Sequence, residues 1–295
     1  MSEIAHEIAS QPACWREAAR QGAALANGSM SAWPAPGTRV GAVGCGTSLF
    51  VAQAYAALRE SLGAGETDAY PASEAPLDRP WDAVVAISRS GTTTEVARFL
   101  EATRAEPTIA IVGVAGTPVA EAAGETVLLD FADERSVVQT RFATSALALL
   151  RASLGQDLEP AIMDAERALA DGLPVEPGEH DHFVFLGAGW SVGLANEGAL
   201  KLREAAGAWS ESYPAMEYRH GPISVARPGS VVWSLGDVDG SVLEDAAGTG
   251  ATVVTGELDA MAELVRIQRT AVALAEHRGL EPDHPRHLTR SVVLS

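Results

Sequence analysis

The sequence predicts an α/β protein built on parallel sheets, because short apolar runs alternate with longer alanine-rich stretches of helical character. The predicted strands are RVGAVG, DAVVAIS, PTIAIVGV and ETVLLD, followed by HFVFLGA, SVVWSLG and TVVTGE. Between the two series, residues 167–182 are rich in proline, glycine and charged side chains and are interpreted as a linker. We therefore expect two domains, 1–165 and 166–295.

An internal repeat supports this division. The stretch VGCGTSLFVAQAYAAL, which starts at Val43, resembles LGAGWSVGLANEGALK, which starts at Leu186, without a gap. The matching positions are Gly44 with Gly187, Gly46 with Gly189, Ser48 with Ser191 and Ala52 with Ala195. Each half is thus predicted to contain a strand, a Gly-x-Gly-x-Ser turn and a helix, although two unrelated strand-to-helix turns can also share glycines.

Composition excludes several functional classes. The 295 residues include 21 Lys and Arg against 39 Asp and Glu, a net charge of −18 that opposes binding to nucleic acid or to an anionic membrane. The sequence has neither a secretion signal nor an apolar run of membrane-spanning length, so a cytoplasmic protein is expected. Its two cysteines, Cys14 and Cys45, match neither a disulfide framework nor a metal-binding pattern. No metal and no cofactor is expected.

The segment AISRSGTTTEV predicts a phosphate-binding turn. A strand that ends in hydroxyl side chains and leads into a helix places its turn where open parallel sheets bind ligands. Gly91 permits a tight turn, and the helix N-terminus favours an anion. Hydroxyl and main-chain donors without fixed charge suit a phosphate monoester; they are expected from Ser88, Ser90 and Thr93 and, in the equivalent turn of the first strand, Thr47 and Ser48. The alternative is that these residues only cap helices.

A dinucleotide site is disfavoured, because Leu49 and Val192 replace the third glycine of the G-x-G-x-x-G pattern. A further polar segment, DERSVVQTRFATS, precedes an apolar helix. Its residues Glu134, Gln139, Thr140 and Arg141 are candidates to close the site, with a solvated helix start as the alternative.

The helix NEGALKLREAAGAW carries the candidate reactive groups. Glu197, Lys201 and Glu204 follow the spacing i, i+4, i+7 and share one helix face. An exposed face with ion pairs is the alternative. The first half has Leu58 at the position of Lys201, so the fold does not require the charge. Downstream, His220 precedes Gly221-Pro222; a histidine in such a turn is suited to proton transfer but is also common on surfaces.

Together these segments resemble the sugar isomerase (SIS) domain family, in particular the isomerase half of glutamine:fructose-6-phosphate amidotransferase. The similar segments occur in the same order along nearly the whole chain: EIASQP, GCGTS, SRSGTTTE, ERSVVQT, EGALKLRE, RHGP and DHPRHLTRSVVLS.

The resemblance implies two tandem SIS domains, each with a five-stranded parallel sheet flanked by helices on both faces, in a homodimer. It implies that the sugar phosphate is held by Thr47, Ser48, Ser88, Ser90 and Thr93, with Gln139 at a ligand-contacting position. Glu204 would transfer protons between C1 and C2, with Glu197 and Lys201 close by. His220 would assist ring opening from the partner subunit.

Two departures from the family pattern bear on the reaction. Arg290 occupies the place of a lysine that is able to form a Schiff base, and an arginine is not expected to do so. The chain also has neither a glutaminase domain nor a cysteine beside Met1, so we expect that it does not draw ammonia from glutamine.

These features predict a sugar-phosphate isomerase or deaminase, with glucosamine-6-phosphate deaminase preferred. The alternatives are a ketose/aldose phosphate isomerase, a fructosamine-6-phosphate deglycase, and a sensor that binds a sugar phosphate without catalysis.

Overall fold

The computed structural model describes residues 2–294, which form two compact units. The first, called the five-strand unit, comprises Ala13–Glu134, Arg141–Leu158 and the tail from Thr289 on. The second, called the four-strand unit, comprises the chain up to Pro12, Arg135–Thr140 and Glu159–Leu288.

The helices and strands alternate along the chain as expected for an α/β protein. In order they are α1 (Glu3–Ala9), α2 (Gln11–Ala26), β1 (Val40–Gly44), α3 (Thr47–Ser61), β2 (Thr67–Pro71), β3 (Ala83–Ser88), α4 (Thr94–Ala102), β4 (Thr108–Val112), α5 (Pro118–Ala122), β5 (Glu125–Leu128), α6 (Arg141–Ser153), α7 (Glu159–Ala170), β6 (His182–Gly187), α8 (Ser191–Ala206), β7 (Trp209–Pro214), β8 (Ser230–Leu235), α9 (Gly240–Gly248), β9 (Thr252–Val254) and α10 (Ala260–His277). Short 3₁₀ helices lie at Asp130–Ala132, Pro177–Glu179, Ala215–His220 and Pro222–Val225.

The first sheet has the strand order β2-β1-β3-β4-β5, and every neighbouring pair is parallel. Its central strands β1, β3 and β4 are buried along their whole length, as their continuous apolar sequences predict for a sheet covered on both faces. Val84 and Ala86 of β3 pack with Phe99 and Leu100 of α4. The alternate residues of β3 point to the opposite face.

The second sheet has the order β7-β6-β8-β9 and is also parallel throughout. Its core joins Val184 and Leu186 of β6 to Val232 of β8 and Val242 of α9. The prediction of five strands in this sheet is wrong. After β9 the chain enters the 18-residue helix α10, and residues 278–294, as described, add no strand to the sheet.

Two strands, β2 and β7, were not predicted from the sequence. Both lie at the edge of their sheet, where one side of the strand is unpaired, and both have mixed polar sequences, TDAYP and WSESYP. The internal repeat nevertheless extends to them. Tyr70-Pro71-Ala72 recurs as Tyr213-Pro214-Ala215 at the spacing of 143 residues that also separates Gly44 from Gly187.

The break at residue 165 proposed from the sequence falls inside α7. Helices α1 and α7 both pack on α10, which explains why they group with the four-strand unit. Among residues 2–294, no helix combines the length and apolarity that a bilayer crossing requires.

Candidate active site

The two hydroxyl turns of the five-strand unit lie at neighbouring strand ends. Strands β1 and β3 pair in parallel, so the turns that follow Gly44 and Ser88 emerge at the same edge of the sheet. In the second turn the Ser88 and Thr93 hydroxyl oxygens are 3.3 Å apart, and Ser90 Oγ accepts a hydrogen bond from the Thr92 N–H at 3.2 Å.

The first turn brings Thr47 and Ser48 to the start of α3, where both are buried. The strand approaches this helix closely, because a Cβ atom on Gly44 would lie 2.6 Å from the main-chain carbon of Ser48. Cys45 lies between the two glycines, and burial raises the pKa of its thiol. The thiol therefore stays protonated near neutral pH and adds no negative charge to the turn.

Gly91 is required by two constraints at once. Its φ of +65° lies in the left-handed region, and a Cβ atom at this position would lie 2.0 Å from Thr117 Oγ1. Its carbonyl also accepts a hydrogen bond from the Val119 N–H at 2.9 Å. The hydroxyl turn is thus packed directly against the start of α5.

The helix that follows this turn begins without a side-chain cap. Thr93 is the N-cap residue of α4 and makes no capping hydrogen bond through its side chain. At the corresponding helix of the four-strand unit, the Asp239 carboxylate accepts the Ser241 N–H at 2.9 Å and caps α9. A carboxylate already occupies the anion-favouring end of α9, whereas no side chain caps the start of α4.

The serine that the two halves of the repeat share, Ser48 in the first and Ser191 in the second, also differs in its surroundings. Ser191, the counterpart of Ser48, donates to the Leu235 carbonyl at 2.7 Å and accepts from the Ala188 N–H at 2.9 Å. Its hydroxyl is therefore used to hold β6 and β8 together. The serine hydroxyl at this edge of the four-stranded sheet is therefore already engaged within the fold.

The C-terminal tail lies on the hydroxyl turn. Val292 O accepts the Thr94 N–H at 3.3 Å, and the Ser291 and Thr92 hydroxyl oxygens are 2.7 Å apart. Arg290 directs its guanidinium to Asp133 at 2.5 Å, while its carbonyl accepts from Arg89 at 2.9 Å. The side chain of Arg290 thus serves as an anchor of the tail in this structure.

Glu134 and Arg141, two candidates to close the site, have structural contacts instead. The buried Glu134 carboxylate accepts the Arg141 N–H at 2.8 Å at the start of α6 and lies 3.7 Å from the buried guanidinium of Arg89. The ion pair balances the charge of Arg89 beside the turn.

Gln139 differs from these two residues, because its Oε1 is buried without a hydrogen-bond partner among residues 2–294. An unoccupied buried acceptor suits a ligand hydroxyl.

In the four-strand unit, Glu197, Lys201 and Glu204 form a buried ion cluster on α8. Lys201 Nζ lies 3.2 Å from Glu197 Oε1 and 2.5 Å from Glu204 Oε2. The side chains of Glu197 and Lys201 are 1% and 2% exposed, and that of Glu204 is 20% exposed. The alternative of a solvated, ion-paired helix face is therefore wrong for this helix. Burial alone would lower the pKa of Lys201, but the two carboxylates raise it above its ordinary value.

Lys201 is the only lysine among the 21 basic residues of the chain. Every other cationic position is arginine, including Arg290. Because a compact ammonium with three donors is not replaced by a planar guanidinium, this usage marks Lys201 as a position with a special requirement. The lysine count of the sequence is a signal for this position that does not depend on any motif.

The exposed part of Glu204 opens to a cleft of about 670 Å³ within the four-strand unit. Basic side chains predominate among its charged lining residues, which are Arg203, Glu204, Arg278, Glu281, His284, Arg286 and His287. The cleft makes the Glu204 side chain accessible to solvent. Among residues 2–294, no group of three His, Cys, Asp or Glu side chains is arranged to hold a metal ion.

His220 ends the 3₁₀ helix Ala215–His220, which directly follows the edge strand β7, and its side chain is exposed. Met216 and Val225 nearby along the chain are 51% and 48% exposed. The structure thus brings together Glu197, Lys201 and Glu204, and separately Ser88 with Thr93, while His220 faces solvent.

Replacing Gly91 by alanine tests the fit of the hydroxyl turn. Gly116→Ala is the matched control, because Gly116 has a similar φ of +64° but no atom within 4 Å of its Cβ position. Left-handed strain should cost each variant about 1–2 kcal/mol, and the Thr117 clash should cost Gly91→Ala about 1–3 kcal/mol more. Urea unfolding measures both losses. Equal losses would contradict the close packing of Gly91 on Thr117.

Replacing Lys201 by methionine should destabilise the protein strongly, because two carboxylates would be left buried without their counter-charge. The expected loss in unfolding free energy is about 3–5 kcal/mol. The control Arg20→Met breaks an exposed pair with Glu17 and should cost less than about 1 kcal/mol. A comparably small loss for Lys201→Met would contradict a tight cluster.

The pH dependence of this loss follows from the raised pKa of Lys201. A raised pKa in the folded state gives stability that is full below the unfolded value of about 10.4 and disappears as pH rises through the folded value. On the alkaline side, the difference in unfolding free energy between wild type and Lys201→Met should therefore not decrease from about pH 7 to 9. A decline within this window, measured by urea unfolding, would contradict the protonated state of Lys201.

Comparison with known proteins agrees with the resemblance drawn from the motifs. Residues 37–154 match the family model of the SIS domain. The glutamine–fructose-6-phosphate aminotransferase (isomerizing) of Methanothermobacter thermautotrophicus is 28% identical over 87% of this chain and 52% of its own length. The enzyme of the same name from a Nostoc species is 31% identical over 56% of this chain and 31% of its own length. The chain spans about half or less of the length of these curated relatives.

The fold is shared with solved structures over their full length. Glucosamine-6-phosphate deaminase from Thermotoga maritima is 26% identical, with a TM-score of 0.84 over 99% of this chain and 100% of the other. The C-terminal domain of glucosamine-fructose-6-phosphate aminotransferase from Francisella tularensis shares the fold at 20% identity and a TM-score of 0.81. The resemblance to the SIS domain family is thus confirmed by residues 37–154 of this chain, which match the model of that family.

Proposed function

We propose that this protein is an amino-sugar-phosphate deaminase that converts glucosamine 6-phosphate to fructose 6-phosphate and ammonia. The observation that carries the proposal is the Glu197–Lys201–Glu204 cluster, in which a buried ammonium holds a partly exposed carboxylate at a cleft. A carboxylate held in this way is suited to moving a proton between adjacent carbons of a sugar. A non-catalytic sensor would have no use for it.

Phosphate recognition is assigned to the five-strand unit, through Thr47, Ser48, Ser88, Ser90 and Thr93. The start of α4, which has no side-chain cap, supports this role. The balanced Arg89–Glu134 pair and the protonated Cys45 add no net charge to the turn. Gln139, with its unpaired buried oxygen, is assigned to a hydroxyl group of the sugar.

The reaction in this proposal has three steps. His220 assists opening of the sugar ring, which exposes the aldehyde at C1. Glu204 removes the proton from C2, which bears the amine, and returns it to C1 through an enolamine. Water then adds to the resulting C2 imine, and ammonia leaves. The Lys201 ammonium would stabilise the negative charge that develops on the sugar oxygen. Neither a metal nor a cofactor takes part in these steps.

Deamination is preferred to isomerisation without loss of nitrogen because of one comparison. The T. maritima protein described as glucosamine-6-phosphate deaminase is similar from end to end at 26% identity. The curated relatives are named for fructose 6-phosphate, which is the ketose product of the proposed reaction. Covalent catalysis by the tail is not part of the proposal, since Arg290 cannot form a Schiff base and is anchored to Asp133.

The four-strand unit is proposed to be a diverged SIS domain, supported by its strand order, which repeats the first four strands of the other sheet. The protein is proposed to act as a cytoplasmic homodimer in which His220 serves the active site of the partner subunit. The exposure of His220, Met216 and Val225 supports a subunit contact there. No role is assigned to nucleic acid or membrane.

The direct test is to incubate the purified protein with glucosamine 6-phosphate and to measure ammonia and fructose 6-phosphate in coupled assays. Both products should appear at equal rates, and unphosphorylated glucosamine should give neither. Galactosamine 6-phosphate, and fructose 6-phosphate with ammonium, test the sugar and the reverse direction. Conversion of glucose 6-phosphate to fructose 6-phosphate would favour an isomerase. Release of ammonia from fructosamine 6-phosphate alone would favour a deglycase. Binding without turnover would favour a sensor.

Glu204→Gln separates catalysis from binding. Since the amide cannot accept the C2 proton, turnover should fall by about 10²- to 10⁴-fold. Binding of glucosamine 6-phosphate, measured by calorimetry, should be retained. The control is Glu244→Gln on α9, whose side chain is exposed. Loss of binding in parallel with turnover would contradict the role proposed for Glu204.

A further inference from the structure

A buried carboxylate near the N-terminus holds the segment that carries Gln139. Glu7 on α1 is 1% exposed. It accepts hydrogen bonds from the Arg135 N–H at 2.6 Å, from the Ser136 N–H at 3.3 Å and from the Ser136 hydroxyl. Consecutive main-chain donors and a hydroxyl thus converge on one buried acceptor, about 130 residues away in sequence.

The segment is stiffened further by its own contacts. Besides its contact with Glu7, the Ser136 hydroxyl lies 2.9 Å from the Val138 carbonyl. The Val137 N–H donates to the carbonyl of Asp283 at 3.4 Å. Main-chain positions 135–138 are therefore defined up to the residue before Gln139, all within the four-strand unit.

Helix α1, which presents Glu7, is itself fixed at both ends. The Asp283 carboxylate accepts the Glu3 N–H at 2.9 Å and the Ile4 N–H at 2.8 Å, which caps the start of the helix. Just beyond its end, the buried Gln11 side chain donates to Gln268 Oε1 of α10 at 2.8 Å. Glu7 thus projects from a rigid base, and the motif EIASQP supplies both the anchor Gln11 and the carboxylate.

We propose that Glu7 is a positioning residue, which holds Arg135–Thr140 so that the buried Oε1 of Gln139 is placed to contact the substrate. This inference rests on the proposed function, in which Gln139 binds the sugar phosphate. Glu7 touches no reacting atom. It acts through the main chain of residues 135 and 136.

The test compares Glu7→Gln with Glu3→Gln. The two positions lie on the same helix and undergo the same chemical change, but the Glu3 side chain is 51% exposed and only approaches Arg135 at 3.6 Å. Glu7→Gln should speed amide hydrogen exchange at Arg135 and Ser136 by about tenfold or more, since their hydrogen bonds to a charged carboxylate become weaker bonds to a neutral amide. Glu3→Gln should leave these rates unchanged.

In the same proteins, the KM for glucosamine 6-phosphate should rise about tenfold in Glu7→Gln, the effect of weakening roughly one hydrogen bond to the ligand. The kcat should change by less than about twofold, because the Glu204 chemistry is untouched. In a Gln139→Leu background, Glu7→Gln should add almost nothing to KM, since the two residues act in series. Ser136→Ala removes one donor to Glu7 and should likewise speed amide exchange and raise KM. It replaces Glu7→Gln as the test variant if Glu7→Gln does not fold.

Unchanged exchange at Arg135 and Ser136 in Glu7→Gln would overturn the proposal, and so would faster exchange with an unaltered KM. Additive effects of Glu7→Gln and Gln139→Leu would also overturn it. If the wild-type protein neither binds nor converts any sugar phosphate, the proposed function fails. The exchange comparison then still decides whether Glu7 holds the segment.

Discussion

The buried ammonium of Lys201 between two carboxylates is the interaction on which the chemistry of this fold depends. Charges removed from water are costly, and the cluster is stable only because each carboxylate lies within 3.2 Å of the Lys201 ammonium on a single helix. Helical spacing places Glu197 and Glu204 on either side of Lys201. Since the equivalent position of the first half is Leu58, the cluster is an addition to the common framework, which folds without it.

The two halves of the internal repeat have specialised in opposite ways. In the five-strand unit no side chain caps the start of α4, where the C-terminal tail occupies the Thr94 N–H through the carbonyl of Val292. In the four-strand unit the corresponding helix start and serine are engaged internally, by the Asp239 cap and by the Ser191 bridge to Leu235. That unit gained the charged face of α8 instead. One unit has thus retained features suited to binding, and the other has acquired features suited to proton transfer.

Sequence patterns predicted the strands that are buried on both faces, because continuous apolar runs are demanded by such positions. They did not predict β2 and β7, whose edge positions tolerate polar residues such as Asp68 and Glu211. The fifth strand of the second sheet was predicted by analogy and is replaced by α10. For the edge strands, the repeated Tyr-Pro-Ala triplet was the available signal.

The candidate site was predictable where it depends on local spacing, as in the cluster on α8 and the turn around Gly91. It was not predictable where it depends on contacts between distant segments. Nothing near Glu7 in the sequence indicates that its carboxylate is buried against residues 135 and 136. The pairing of Glu134 with Arg89, and of Arg290 with Asp133, likewise depends on the tertiary fold.

The solitary lysine also affects how the protein withstands the compounds it is proposed to handle. Reducing sugars condense with free ε-amines, and open-chain phosphosugars do so readily because their carbonyl is unmasked. This chain carries one ε-amine, which is buried and paired with two carboxylates, while its other basic side chains are guanidinium groups. Its surface therefore offers no lysine ε-amine to glycation by aldose phosphates.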